Sequence, residues 1–306
     1  MINIKNKVYA YKASQQRVYP VNSNRASSLG HPCERYLVYM RTDWQRMELP
    51  SVDREFIFEG GRVIEQLALR ELQDAGLEVT NQGRDFKDDE HLITGHIDCF
   101  VADLSNGAIK YPCEIKGISP FDFPKINSLL DMTKSPKTWM RAYPAQLQLY
   151  LYLANKEEGL FYIKNKLSFE PKEIWTTLDY EYVETLLQRA KRINAHVSNK
   201  TLPDRINEYK TCKDCAAKLF CRPDIVFGEG ISFIDDTEVE KKLDHRDGLY
   251  SEAKEYEALD KEIKEGLKTF MKDRMVVLCG KWLIEKKINA KGSISFDFTN
   301  QNEKQE

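Results

Sequence analysis

No run of apolar residues in this 306-residue chain approaches the ~18 needed to cross a bilayer. The opening stretch, MINIKNKVYAYKASQQRVYP, holds no apolar core of the kind that marks a secretory leader. The expected setting is therefore cytoplasmic, with no membrane partner. Excess charge is also lacking: 46 Lys and Arg face 48 Asp and Glu, a net charge of −2. On its face that argues against a nucleic-acid binder. Cysteine is sparse, seven in all, and in a reducing compartment the expectation for clustered cysteines is metal or cluster ligation rather than disulfides. No internal repeat is visible. What remains is an ordinary globular composition, long enough for one large domain or a core domain with an appendage.

The distribution of charge and cysteine is less ordinary than the totals. Met1 to Met47 carries eight Lys/Arg against two Asp/Glu, and Lys191 to Arg222 carries eight against three. From Asp235 to Met275 the balance reverses, thirteen acids to nine bases. The two basic regions hold Cys33 and the triplet Cys212, Cys215 and Cys221 of CKDCAAKLFC. A local basic surface can bind phosphates while the whole molecule stays near neutral; the alternative is a set of solvated charged faces.

Local patterns give a coarse map. SSLGHPCERYLVYMR predicts a turn and then a helix with Pro32 at its first position and Arg41 near its end. EGGRVIEQLALRELQDAG predicts a helix stopped by Gly76. HLITGHIDCFVADLSNGAIKYPCEIKG reads as a hairpin about Ser105–Gly107. AYPAQLQLYLYLANKEEG is ambiguous: Leu147, Leu149, Leu151 and Leu153 alternate like a strand, while length and leucine content suit a helix. GLFYIKNK and KEIWTTL predict strands. DYEYVETLLQRAKRINAHVSN predicts a helix capped by Asp179. A charged helix from about Thr237 to Arg274 and a short β segment follow. SPFDFPKINSLLDMTKSPKTWM shows no period and is expected to be a mobile flap.

Chemistry concentrates in the middle of the chain. At 100° per residue Glu65 falls inside the apolar stripe of its helix, with Arg62, Gln66, Arg70 and Gln73 on the wet face. A buried carboxylate needs a cation; the alternative is a glutamate at the stripe's edge reaching water. In the hairpin, a three-residue loop would pair Leu104 with Ala108 and hence Asp98 with Glu114, with Lys116 on the same face as Glu114. Two facing carboxylates repel unless a divalent cation holds them. Two acids and a lysine suit metal-assisted phosphodiester hydrolysis, and the alternative is a salt-bridged pair on a wet strand face.

Asp98, followed by Glu114-Ile115-Lys116 on the next strand, resembles the D…(D/E)xK signature of the PD-(D/E)XK nucleases. Gln146 and Tyr150 match the QxxxY motif of the RecB-like branch, which implies a helix there. Cys33 ahead of this core and Cys212-x2-Cys215-x5-Cys221 after it resemble the iron–sulfur members of that branch, the AddB and CRISPR-associated exonuclease type. The resemblance runs from about Ser27 to Pro223. It implies an α/β fold with a central mixed sheet flanked by helices, and a four-cysteine [4Fe–4S] cluster as a structural staple. By the same resemblance Glu65, Asp98, Glu114 and the Ile115 carbonyl would hold Mg²⁺ or Mn²⁺, Lys116 would assist attack, and Gln146 and Tyr150 would position the strand. Many relatives have histidine where this chain has Glu65. Cys99, Cys113 and Cys279 are expected to be packing residues.

The implied activity is metal-dependent exonucleolytic degradation of DNA, single-stranded ends first, in recombination, repair or DNA processing. A structure-specific DNA or RNA endonuclease would use the same residues, and a zinc-stapled DNA-binding module would need only the cysteines. Residues 1–230 would form the nuclease core and 231–306 an appendage. That appendage is similar to the tails of virus-encoded relatives rather than the short CRISPR-associated ones, and is a candidate surface for a protein partner or self-association.

Overall fold

The computed structural model describes residues 2–106, 109–223, 225, 227–228 and 237–302. The chain divides into two compact units, Met1–Phe233 and Ile234–Glu306.

The first unit opens with α1 (Ile4–Gln15), β1 (Asn24–Arg25), α2 (Ala26–Leu29), α3 (Glu34–Thr42) and the long α4 (Val52–Asp74). Asn3 caps α1, its side chain accepting from the amide of Asn6. Pro32 is not the first residue of α3, as the sequence suggested. Cys33 takes the cap position and the helix starts at Glu34. Within α4 the buried residues are Ile64, Ala68, Leu69 and Leu72, the stripe expected from periodicity, and Gly76 ends the run at φ +84°.

Strands β2 (Glu78–Thr80), β3 (Asp85–Asp88), β4 (Ile93–His96), β5 (Cys99–Ala102) and β6 (Tyr111–Ile118) follow. Helices α5 (Leu129–Thr133), α6 (Thr138–Arg141) and α7 (Tyr143–Leu153) lead to β7 (Glu158–Asn165), β8 (Pro171–Thr177) and α8 (Tyr180–Asn199). Short helices α9 (Tyr209–Lys213) and α10 (Lys218–Cys221) carry the cysteine triplet. The main sheet runs β2-β5-β6-β7-β8, with β6 and β7 parallel and the other pairs antiparallel. A smaller sheet, β1-β4-β3, pairs β1 and β4 in parallel. The architecture is mixed α/β, with mixed sheets flanked by helices.

The hairpin differs from its sequence reading in one respect. Its first strand breaks at Asp98, and the two halves, β4 and β5, join different sheets. The register past the break is nonetheless the one the turn implied: Cys99 faces Cys113 and Val101 faces Tyr111. Gly107 and Ala108 of that turn lie outside the described residues.

Helix α7 is buried on nearly all sides: Leu147, Leu149 and Leu151 are each fully buried, which is why their alternation mimicked a strand. One face meets α2 and α8 in a core containing Leu29, Val38, Leu149, Leu186 and Ile193. The other meets Phe161, Ile163 and Ile174 of the sheet. The segment expected to be a flap instead packs into this second core through Phe123, Ile126, Met132 and Met140, all buried. Asp179 caps α8 as its position predicted, accepting from the amide of Tyr182.

The second unit is α11 (Thr237–Phe270) and the antiparallel sheet β9 (Val276–Cys279), β10 (Trp282–Ile288) and β11 (Ile294–Asn300), ordered β11-β10-β9. Met271, Ile284 and Phe296 form its small core. Buried Lys286 donates to the carbonyl of Lys272 at 2.7 Å, a cation placed just beyond a helix C-terminus. Cys279 is exposed on the edge strand β9 rather than packed.

Candidate functional site

Strand β6 is central in the main sheet, so its side chains alternate between two covered faces. Cys113 and Ile115 point to one side and pack with Ala68, Leu69 and Leu72 of α4 and with Cys99. Glu114 and Lys116 point to the other. Glu114 is 0 % exposed. Its Oε2 accepts from the Lys116 ammonium at 2.7 Å, and its Oε1 is buried with no hydrogen-bond partner.

Asp98 sits in the bend between β4 and β5, beside the start of the β5–β6 ladder. Its Oδ2 accepts the amide of Ile115 at 2.7 Å and lies 3.9 Å from Lys116 Nζ. Helix α4 crosses the end of β6 so closely that a Cβ on Gly117 would stand 2.9 Å from Ile64 Cδ1. Glu65, the next residue, is half-buried and comes within electrostatic reach of Asp98 and Lys116. Four of the residues singled out from the sequence, Glu65, Asp98, Glu114 and Lys116, are thus brought to one end of β6.

The electrostatics follow from burial and like charge. Burial pushes the Glu114 carboxyl up to about 8; the Lys116 ammonium opposes this and Asp98 adds to it. Glu65 is raised by burial first and by Asp98 second. Burial works against the charge of Lys116, but Glu114 and Asp98 more than reverse that and hold its pKa high. Among the described residues, no three His, Cys, Asp or Glu side chains stand close enough to grip a metal ion without moving. The carboxylates are neighbours, not a preformed cage. The partnerless Oε1 of Glu114 is the atom with most to gain from a cation.

Gln146 and Tyr150 lie one turn apart on α7, Gln146 Nε2 donating to Tyr150 Oη at 3.4 Å. Both are buried, and Tyr150 stacks on Phe86 with ring centroids 5.6 Å apart. The Tyr150 hydroxyl lies over Gly95 of β4, where a Cβ would stand 2.6 Å from it, so only glycine fits. Burial and the Glu114 charge raise the phenol's pKa. These two side chains wall the site and brace the strand that leads to Asp98.

Sequence reasoning missed Tyr143. Its ring lies under Lys116, 5.3 Å from Nζ, and the ammonium opposes the rise in the phenol's pKa that burial causes. The signal was present, since residues 143, 146 and 150 are spaced i, i+3, i+7 and share one helical stripe. Lys166 was missed too. Its stem runs over Gly117, and burial together with Lys137 lowers its pKa.

The other four cysteines converge elsewhere. Cys33, Cys212, Cys215 and Cys221 line one small cavity together with Tyr36, Ala217 and Phe227. Burial pushes the Cys215 thiol up to about 11, and raises Cys33 and Cys212. The amide of Ala217 points at Cys215 Sγ at 3.4 Å, and Cys33 sits at the N-terminus of α3, where the amides of Arg35 and Tyr36 favour thiolate. The cavity carries four soft donors and no carboxylate, with Arg35, Arg205, Lys218 and Arg222 around it. Among the described residues no three of these thiols stand close enough to hold a metal ion as placed, so the four share a cavity and a soft donor chemistry but not a formed ligand cage.

No protein-family model matches the chain, and no curated protein matches it. Among solved structures, the chain is similar to SSO0001 at 18 % identity, over 73 % of this chain and 98 % of that one, with a TM-score of 0.42. It is similar to an alkaline exonuclease, LHK-Exo, from Laribacter hongkongensis at 12 % identity, over 64 % and 93 %, TM-score 0.40. It is also similar to a phage-related exonuclease from Haemophilus somnus 129PT at 13 % identity, over 60 % and 96 %, TM-score 0.39. At TM-scores near 0.4 these likenesses carry no weight for function, which rests on the side chains.

Proposed function

We propose that the chain is a divalent-metal-dependent nuclease that degrades DNA from single-stranded ends, with a four-cysteine [4Fe–4S] cluster as a structural staple. One observation carries the nuclease reading: fully buried Glu114 has one oxygen on Lys116 and the other without a partner, beside Asp98, and Asp98 and Lys116 are in turn within electrostatic reach of Glu65. A buried polar atom left unpaired costs about 1–3 kcal/mol, and a cation removes that cost. Glu65, Asp98, Glu114 and the Ile115 carbonyl would hold Mg²⁺ or Mn²⁺, which when bound supplies a more acidic water and neutralises phosphate charge.

The chain's own residues do the rest. Lys116, kept cationic by its neighbours, orients the attacking water and offsets charge developing on the phosphate. Tyr143 holds that ammonium from below. Gln146 and Tyr150, both buried, act through the wall of the site and position the strand indirectly. Cys33, Cys212, Cys215 and Cys221 would hold the cluster, tying the N-terminal segment to the end of the unit.

The experiment is a cleavage assay of purified protein with Mn²⁺ on open and end-blocked single strands and duplexes. Open single strands should be consumed and end-blocked ones spared, with loss of activity in EDTA and in Asp98→Asn. Cleavage of end-blocked substrate would replace the exonuclease reading with an endonuclease. DNA binding without cleavage, in zinc-containing protein, would leave only a binding module.

A further inference from the structure

The N-terminal half of α4 presents a face, left open by the described residues, that leads toward the carboxylates. Eleven residues separate Arg54 from Glu65, ~16 Å of rise and a net rotation of only ~20°. Phe58 and Gly61 fall within about 40° of the same line. Phe58 is 49 % exposed, and a Cβ on Gly61 would meet nothing within 4 Å. Helix α1 covers the opposite side: Tyr9 reaches Asp53 and Phe56, and Lys12 pairs with Glu59. Further along, the same line turns inward at Ala68 and Leu72, which are buried. The open stripe therefore ends where the carboxylates begin.

At its other end the stripe enters a groove of about 550 Å³. Arg25, Arg54 and Lys213 line it beside Trp44 and Tyr36, and no ion pair or hydrogen bond engages those three cations among the described residues. Five cationic side chains line the groove against two carboxylates, and one of the two, Glu48, is taken by Lys218 at 2.9 Å. Unpaired cations spaced along an aromatic-lined path suit a chain of phosphates whose bases can stack. Gly61 leaves bare backbone on this line, so a ligand can approach the helix closely there.

We propose that a single-stranded polynucleotide runs from this groove along the Arg54–Phe58–Gly61 face of α4 to the Glu65, Asp98 and Glu114 site. Arg25, Arg54 and Lys213 take its phosphates, Phe58 stacks a base, and Gly61 lets the backbone pass against the helix. The proposal deepens the nuclease reading and rests on it for the destination of the strand, not for the track itself.

The test is fluorescence-anisotropy binding of labelled dT12, rU12 and a 12-base-pair duplex, in EDTA so that nothing is cleaved. Gly61→Met blocks the track, whereas Gly60→Met makes the same change in helix propensity about 100° away, also in open space. Both should melt at or above the parent's temperature. Gly61→Met and Phe58→Ala should weaken single-strand binding by ~10-fold, the scale of one lost stacked base, while Gly60→Met binds like the parent. The dT12 and rU12 arms separate DNA from RNA as the preferred strand. Equal binding by the two Met variants would overturn the track, and an equal loss on the duplex would overturn its single-strand character. Failure of the nuclease reading looks different: the variants behave as expected, and the parent with Mn²⁺ cleaves nothing.

Discussion

Asp98 is tied to the neighbouring strand by the main chain: the amide of Ile115 donates to its Oδ2 at 2.7 Å. Asp98→Asn can keep that acceptor while losing the charge, so it should fold within about 1 kcal/mol of the parent and be inactive. Asp98→Ala orphans the amide as well, and should cost ~1–3 kcal/mol in chemical denaturation in addition to activity. Equal stability of the two variants would mean the bond is not structural.

Lys116→Met should be nearly inactive yet still bind Mn²⁺, since lysine is not a ligand. Removing it leaves Glu114 buried without its cation, a change that costs ~3–5 kcal/mol when a buried pair is broken. Isothermal titration with Mn²⁺ checks the first statement and urea denaturation the second. Activity near the parent level would remove Lys116 from the chemistry.

Burial lifts Glu114 from its ordinary 4.5 to about 8. The folded state therefore holds this proton more tightly than the unfolded state. The stability it contributes is complete below about 4.5 and is lost as pH rises toward 8. In EDTA the melting temperature should fall across that window, and Glu114→Gln should flatten the fall. Mn²⁺ needs the ionised carboxylate, so its apparent affinity should climb over the same range. Parallel curves for the parent and Glu114→Gln would show that another group dominates.

Glu65→Gln distinguishes a ligand from a carboxylate that only reaches water. As a ligand, its loss of charge should raise the Mn²⁺ concentration needed for half-maximal cleavage several-fold, with stability similar or improved because the raised carboxyl is gone. An unchanged Mn²⁺ requirement assigns Glu65 to solvation.

Protein purified anaerobically should be brown, its visible absorbance falling on oxidation. Cys33→Ala should lose colour and thermal stability together, because through the proposed cluster that thiol would tie α3 to the α9–α10 segment, with which it shares a cavity. One equivalent of zinc in colourless protein would replace the cluster with a zinc staple.

What the sequence disclosed depended on whether a pattern was local. The register of β5 on β6 could be read from the turn and the alternation, because a hairpin is set by neighbours in the chain. The break at Asp98 could not, since β4 leaves for a sheet formed with β1 and β3. Phe123, Ile126, Met132 and Met140 follow no period, so only the surrounding α7 and β7 explain why they are buried. Cys279 looked like core because its apolar neighbours did, yet a three-stranded sheet at the chain's end leaves its edge wet. In the candidate site, each side chain's type was legible and its surroundings were not. Nothing in the letters says that one oxygen of Glu114 lacks a partner or that Tyr143 lies beneath Lys116.

The packing of α2 and α3 against α8 has a consequence for how the protein is made. Leu37 and Val38 of α3 find their burial against α8, whose Leu186, Ala190 and Ile193 come roughly 150 residues later. A ribosome adding about 5–20 residues per second leaves that apolar segment uncovered for ~8–30 s. Pairing across such separation also slows the final collapse. The newborn chain should therefore depend on a chaperone through this interval, and ribosome-bound fragments ending before residue 180 should be far more sensitive to protease at residues 34–42 than those ending after residue 230.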